Sequence, residues 1–206
     1  MLYIVAALVR ADKQVRSRFM QNILRRHTNA RHMNRRAAIT MGLLSLLFGR
    51  KASSKQEVKI LPIGTDVEKE LARQAELANS LLRKYTLESV SFTPEQIDVA
   101  IAAWSKAEAP GKESADQVVE QLGAYFGQYL ARTLELEWRL YRDSRGTDLC
   151  VVHKRVSVFS FPHSAIYKAA VQGRRDALPE VEAALRRQIS EALNSSIIQP
   201  RPEKAP

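Results

Sequence analysis

The sequence predicts an α+β domain: a small antiparallel sheet of three or four strands packed on helices, with a helical extension before it. Two observations carry this. Between Leu122 and Lys168 the chain reads LGAYFGQYL, LELEWRLYRDSRGTDLCVV and VSVFSFPHSAIYK: a helix with two glycines, three strand-like segments, then a proline-led helix. Upstream of it, apolar residues recur every three or four positions instead of alternating, which is the period of helices with one buried face.

The elements follow in order. From Val67 the residues Leu71, Ala75, Ala78, Leu81 and Leu82 fall on one helical face. Thr93-Pro94-Glu95-Gln96 is a helix start: a hydroxyl to cap, a proline at the first position and a Gln to complete a capping box. Ile97, Ile101 and Trp104 line that helix, and Ala109-Pro110-Gly111 ends it. Ser114 or Asp116 caps the next, whose stripe is Val118, Leu122, Tyr125, Phe126, Tyr129 and Leu130. Gly123 and Gly127 share one face of it. Each costs about 1 kcal/mol relative to alanine, so a close approach by a sheet or another helix is expected there.

Leu136, Trp138 and Leu140 alternate with Glu137, Arg139 and Tyr141, the period of a half-buried strand. Asp143-Ser144-Arg145-Gly146 is a turn. Leu149–Val152 and Val156–Phe161 read as two more strands, and the short connections favour a meander. Pro162 cannot donate to a ladder and opens a helix over His163–Val171, with Gly173 beyond its end. Leu185, Ile189 and Leu193 stripe a last helix from Pro179 to Leu193. The expected division is a basic and apolar segment at 1–51, a linker at 52–66, the α+β domain at 67–193 and a disordered tail at 194–206.

Arranged in this order, a helix bearing LGAYFG, a Trp-bearing strand (LEW), the Asp143 to Gly146 turn and the Phe161-Pro162 to Lys168 helix start resemble a bacterial domain-of-unknown-function family, number 3806 of that series. The resemblance covers about residues 95–193 and rests on order and spacing instead of any one motif. It implies a fold and a bacterial source. The family brings no established activity, so no residue role is carried over.

Charge is unevenly placed. Met1 to Lys51 holds eleven Lys and Arg against Asp12, and the rest of the chain balances 21 basic with 21 acidic residues. The folded part therefore has no net field that would draw it to nucleic acid. In the first segment, the apolar run Ala37 to Phe48 would span about 18 Å as helix, against the roughly 30 Å of a bilayer core. Three readings fit it: a start codon at Met33 or Met41 in place of Met1; an amphipathic anchor giving weak membrane-surface contact through residues 37–51; or an export signal over residues 33–51. The first leaves the protein in the cytoplasm, which is the expectation adopted; the others place it at the membrane or outside.

Chemistry-bearing patterns are sparse. Cys150 and His153 are three apart on one strand, hence on opposite faces, and with His163 do not form a zinc set. No glycine-rich phosphate loop is present. A Cys150–His163 dyad requires the fold to join them. Asp143 and Asp148 flank a turn and read as turn formers. Catalytic, cofactor and metal residues are thus all expected to be none. The aromatic set Tyr125, Phe126, Tyr129, Trp138, Tyr141, Phe159 and Phe161 reads as core, with Tyr129 and Tyr141 expected on the surface as a protein-binding pair. The resulting expectation is a non-catalytic binding or regulatory module with an unknown protein partner. The alternative is a small hydrolase or transferase whose site only the fold assembles.

Overall fold

The computed structural model describes residues 58–86, 93–108, 110–144 and 146–198. The readings of residues 1–51 lie outside these. Two units are distinguished: Ile60–Tyr141 with Asp148–Pro206, and Met1–Lys59 with Arg142–Thr147. In the second, the described residues include the hairpin tip, where the Arg142 Nε donates to the Thr147 Oγ1 at 3.3 Å and Gly146 takes a φ of +142°.

The chain order is β1 (Lys59–Pro62), α1 (Thr65–Thr86), α2 (Pro94–Lys106), α3 (Ala115–Thr133), β2 (Leu136–Asp143), β3 (Gly146–His153), β4 (Phe159–Ser160), α4 (Pro162–Ala170) and α5 (Ala177–Ile198). The fold is α+β, with one antiparallel sheet of order β1-β2-β3-β4. In the last pair Val151 faces Ser160 and Val152 faces Phe159.

Capping decides two helix starts. Thr93 accepts from the Gln96 N–H while the Gln96 side chain accepts from the Thr93 N–H, with Pro94 next in line. Ser114 and Gln117 repeat the arrangement on α3, so Ser114 is the cap and Asp116 lies in the first turn. Each such cap is worth about 1 kcal/mol. At the other end of α3 the chain reverses through Glu135, at a φ of +54°, directly into β2.

Several boundaries differ from the sequence reading, three of them with a consequence for the fold. Lys59–Pro62, expected as linker, is the edge strand β1. It is short and mostly exposed, so it shows no alternation; its order comes from pairing with β2, a partner more than seventy residues on. Val156, expected in a strand, lies in a turn instead. The His153 N–H donates to the Val158 carbonyl at 2.9 Å, and the His153 Nδ1 accepts from the backbone N–H groups of Arg155 and Val156. The imidazole thus takes the role of turn former and shortens β4 to two residues. The last helix starts at Ala177 and continues to Ile198, past the expected end at Leu193.

The buried core joins one face of the sheet to the helices: Leu136 and Val151 pack with Leu82, Ile97, Leu122, Phe126, Leu130, Ile166 and Leu178. α3 is central, packed on α1 and on α4. Its two glycines allow that closeness. A Cβ at Gly123 would lie 2.3 Å from the His163 Cδ2 and 3.0 Å from the His163 Cα. A Cβ at Gly127 would lie 2.0 Å from the Trp138 Cζ2. One glycine therefore seats a helix, α4, and the other seats a strand, β2.

Gly127→Ala is expected to destabilise by about 2 kcal/mol: an overpacking cost of about 3 less the roughly 1 that alanine gains in a helix. Adding Trp138→Leu should make the Gly127→Ala step much cheaper, as coupled neighbours do. Urea unfolding of the four proteins checks this. Additive losses would mean that the indole does not rest on Gly127.

Candidate functional site

The outward face of α3 carries Tyr125, Gln128, Tyr129 and Arg132, spaced so that they line up along about two turns. Beside them stands the indole of Trp138. With Ala131 these residues line a groove of about 350 Å³, within the size range of small ligand pockets. Trp138 owes its position to Gly127, which admits the ring edge against the helix backbone. Its other neighbour is the His163 ring, 5.8 Å between centroids and tilted by 47°. The indole Nε1 is buried and has no hydrogen-bond acceptor among the described residues.

Tyr129 is fixed from both ends. Its ring stacks on Phe126 at 6.4 Å and 13°. Its hydroxyl donates to Glu182 of α5 at 3.1 Å, and the same carboxylate accepts from Arg186 at 2.5 Å. Burial, with Glu182 adding to it, pushes the Tyr129 phenol up from its ordinary value. The groove's one charged residue is Arg132, in the last turn of α3, where a cation suits the helix dipole. Its guanidinium makes no hydrogen bond or ion pair among the described residues.

The two tyrosines expected as an exposed pair are half-buried and sit in different clusters. Tyr129 is in the groove. Tyr141 packs edge-on against Phe161 at 5.2 Å and tilted against Phe159 at 5.6 Å. Alternation along the strand puts Tyr141 on the opposite face of β2 from Trp138, and this period decided the separation. The sequence pattern alone does not join Tyr125, Arg132 and Trp138 into one surface. The helical spacing of 125, 129 and 132 was readable, but the indole beside them comes from another element.

Residues with reactive side chains lie apart from the groove. Cys150 is fully buried on β3, on the face opposite the core residue Val151. Burial and the neighbouring Asp148 push its thiol up to about 12. His163 is buried against Gly123 and Trp138 on the helix side, and burial pulls its imidazole down to about 4. The sheet therefore separates the two members of the candidate dyad. Asp148 is buried, and its carboxylate accepts from the Leu149 N–H at 2.8 Å. Asp143 ends β2 beside the hairpin turn. Among the described residues no three His, Cys, Asp or Glu side chains gather as a metal would require.

One carboxylate has a distinctive setting. Asp98 on α2 reaches the first turn of α5, where its Oδ2 accepts from the Leu178 N–H at 3.4 Å. Its Oδ1 is buried and has no partner among the described residues. Burial, then the nearby Asp176, Glu95 and Glu180, push the carboxyl up to about 6.

The family model of DUF3806, a domain of unknown function, matches residues 98–179. This is the family whose pattern the sequence resembles, over a shorter stretch. The matched stretch runs from Asp98 to just past Leu178, so the Asp98–Leu178 hydrogen bond ties its two ends together. It also contains every residue lining the groove. Among solved structures, a crystal structure from Bacteroides thetaiotaomicron VPI-5482 is similar at 14% identity with a TM-score of 0.47; the match covers 66% of this chain and 50% of that one. This chain thus spans half the length of that structure. No curated protein matches.

Two outcomes are expected. Native protein at pH 8 should leave Cys150 unmodified by iodoacetamide over hours, with one alkylation after unfolding in urea; rapid native labelling would place the thiol at the surface. The second concerns Asp98. Its folded value of about 6 lies above the ordinary 3.8, so the native state holds the proton more tightly than the unfolded chain. That stabilisation is present below about 4 and is lost as pH rises through about 6. Asp98→Asn avoids the loss, so its stability relative to wild type should be more favourable at pH 7.5 than at pH 4. Melting curves giving the same difference at both pH values would refute this.

Proposed function

We propose that this protein is a non-catalytic binding module and that the groove between α3 and Trp138 is where a protein partner docks. The observation that carries it is the composition of that groove. Three half-buried aromatic rings surround one guanidinium that has no partner among the described residues and one amide. Tyr, Trp and Arg are the side chains from which interface hot spots are built. Two of the rings are held in place beforehand, Tyr129 by Glu182 and Trp138 by Gly127, so little ordering entropy is lost when a partner binds.

The hydrolase or transferase reading finds less support. Nucleophilic work needs a low thiol pKa and a base within reach. Cys150 has the reverse shift, and His163 lies across the sheet from it. We also propose a cytoplasmic location, a compartment in which a lone buried thiol stays reduced.

Affinity capture with the 206-residue chain tests this. Wild type and a control changed at the exposed Arg83 and Arg187 to alanine should retain the same partner. Tyr125→Ala with Arg132→Ala should lose it by tenfold or more while melting within a few degrees of wild type. A folded groove variant that still captures every protein held by wild type would overturn the proposal.

A further inference from the structure

The groove's length and charge narrow what can occupy it. From Tyr125 to Arg132 the helix advances seven residues, about 10 Å. An extended peptide covers that distance in about three residues. Along the helix Tyr125 stands at one end of the lining and Arg132 at the other, with Tyr129 between them. Glu182, which accepts from both the Tyr129 hydroxyl and Arg186, makes no ion pair with Arg132. Gln128 lies one turn before Arg132 and offers a second donor for an incoming oxygen.

Resting on the docking reading above, we infer that the groove takes a three-residue stretch of extended peptide bearing a single carboxylate, seated on Arg132, with an aromatic or branched apolar side chain against Tyr125 and Trp138. Charge complementarity selects this occupant. One cation without a partner among the described residues matches one anion. A nucleic acid would present a phosphate at every nucleotide and needs several cations along its track. The groove provides one, and the chain from Ala52 onward balances 21 basic with 21 acidic residues. Stacking rings alone do not offset that deficit.

The probes are N-acetylated, C-terminally amidated tripeptides, Phe-Gly-Glu and Glu-Gly-Phe, with Gln and Lys replacing Glu. They are titrated into the full chain and followed by amide NMR shifts. At least one Glu peptide should bind in the millimolar range and shift the α3 amides. Its Gln counterpart should bind about two- to fivefold more weakly, the size of one ion pair at an exposed site, and its Lys counterpart more weakly still. Arg132→Gln should abolish the Glu-over-Gln difference, and Arg132→Lys should restore part of it. Tyr125→Ala should weaken the Glu and Gln peptides alike.

Several outcomes would sink the inference: no peptide bound at 10 mM, equal binding of Glu and Gln peptides, a difference that survives Arg132→Gln, or tighter binding of an eight-nucleotide oligothymidylate than of any peptide. If the groove variant loses its captured partner but the Glu and Gln peptides bind equally, docking at the groove stands and the carboxylate assignment falls.

Discussion

The contact of α3 with its neighbours through Gly123 and Gly127 is the constraint on which the rest of the structure depends. Interiors pack at crystal-like density, so two missing β-carbons create room that a neighbour must fill. On this helix the fillers are the His163 ring and the Trp138 indole. Because the residues are four apart, α4 and β2 meet the same helix face one turn from each other. The two rings then touch each other, joining strand, central helix and following helix at one point. The cost of glycine in a helix is met by that density.

The same contact shapes the surface. An indole seated on a glycine lies low against the helix, so its exposed side forms a wall and the neighbouring turns of α3 form the floor. Tyr129 is braced by Glu182 from α5, which is docked in turn through Asp98 and Leu178. Groove and core are therefore parts of one packing arrangement. A change at Gly127 disturbs both, and a change at Arg132 should disturb only the first.

Burial also sets the protonation of Cys150 and His163. Cys150 and His163 are shifted by desolvation in the directions that favour their neutral forms. The polar face of His153 is spent on a turn. The groups that line the groove are rings, an amide and a guanidinium.

Much of this was legible in the chain. Caps at Thr93 and Ser114, the helical stripes, the alternation around Trp138 and the proline start of α4 are local signals, set by backbone sterics and nearest-neighbour hydrogen bonds, and they specified the α+β class and the glycine-mediated close approach. Local signals could not show which element fills each glycine, that Lys59–Pro62 pairs as an edge strand, or that His153 folds back to make a turn. Nor could they show that Tyr129 and Tyr141 part to different clusters while Trp138 joins Tyr125 and Arg132. Each of these is decided by a contact between residues distant in sequence or by a side chain aimed at backbone, and such contacts exist only once the chain has closed on itself.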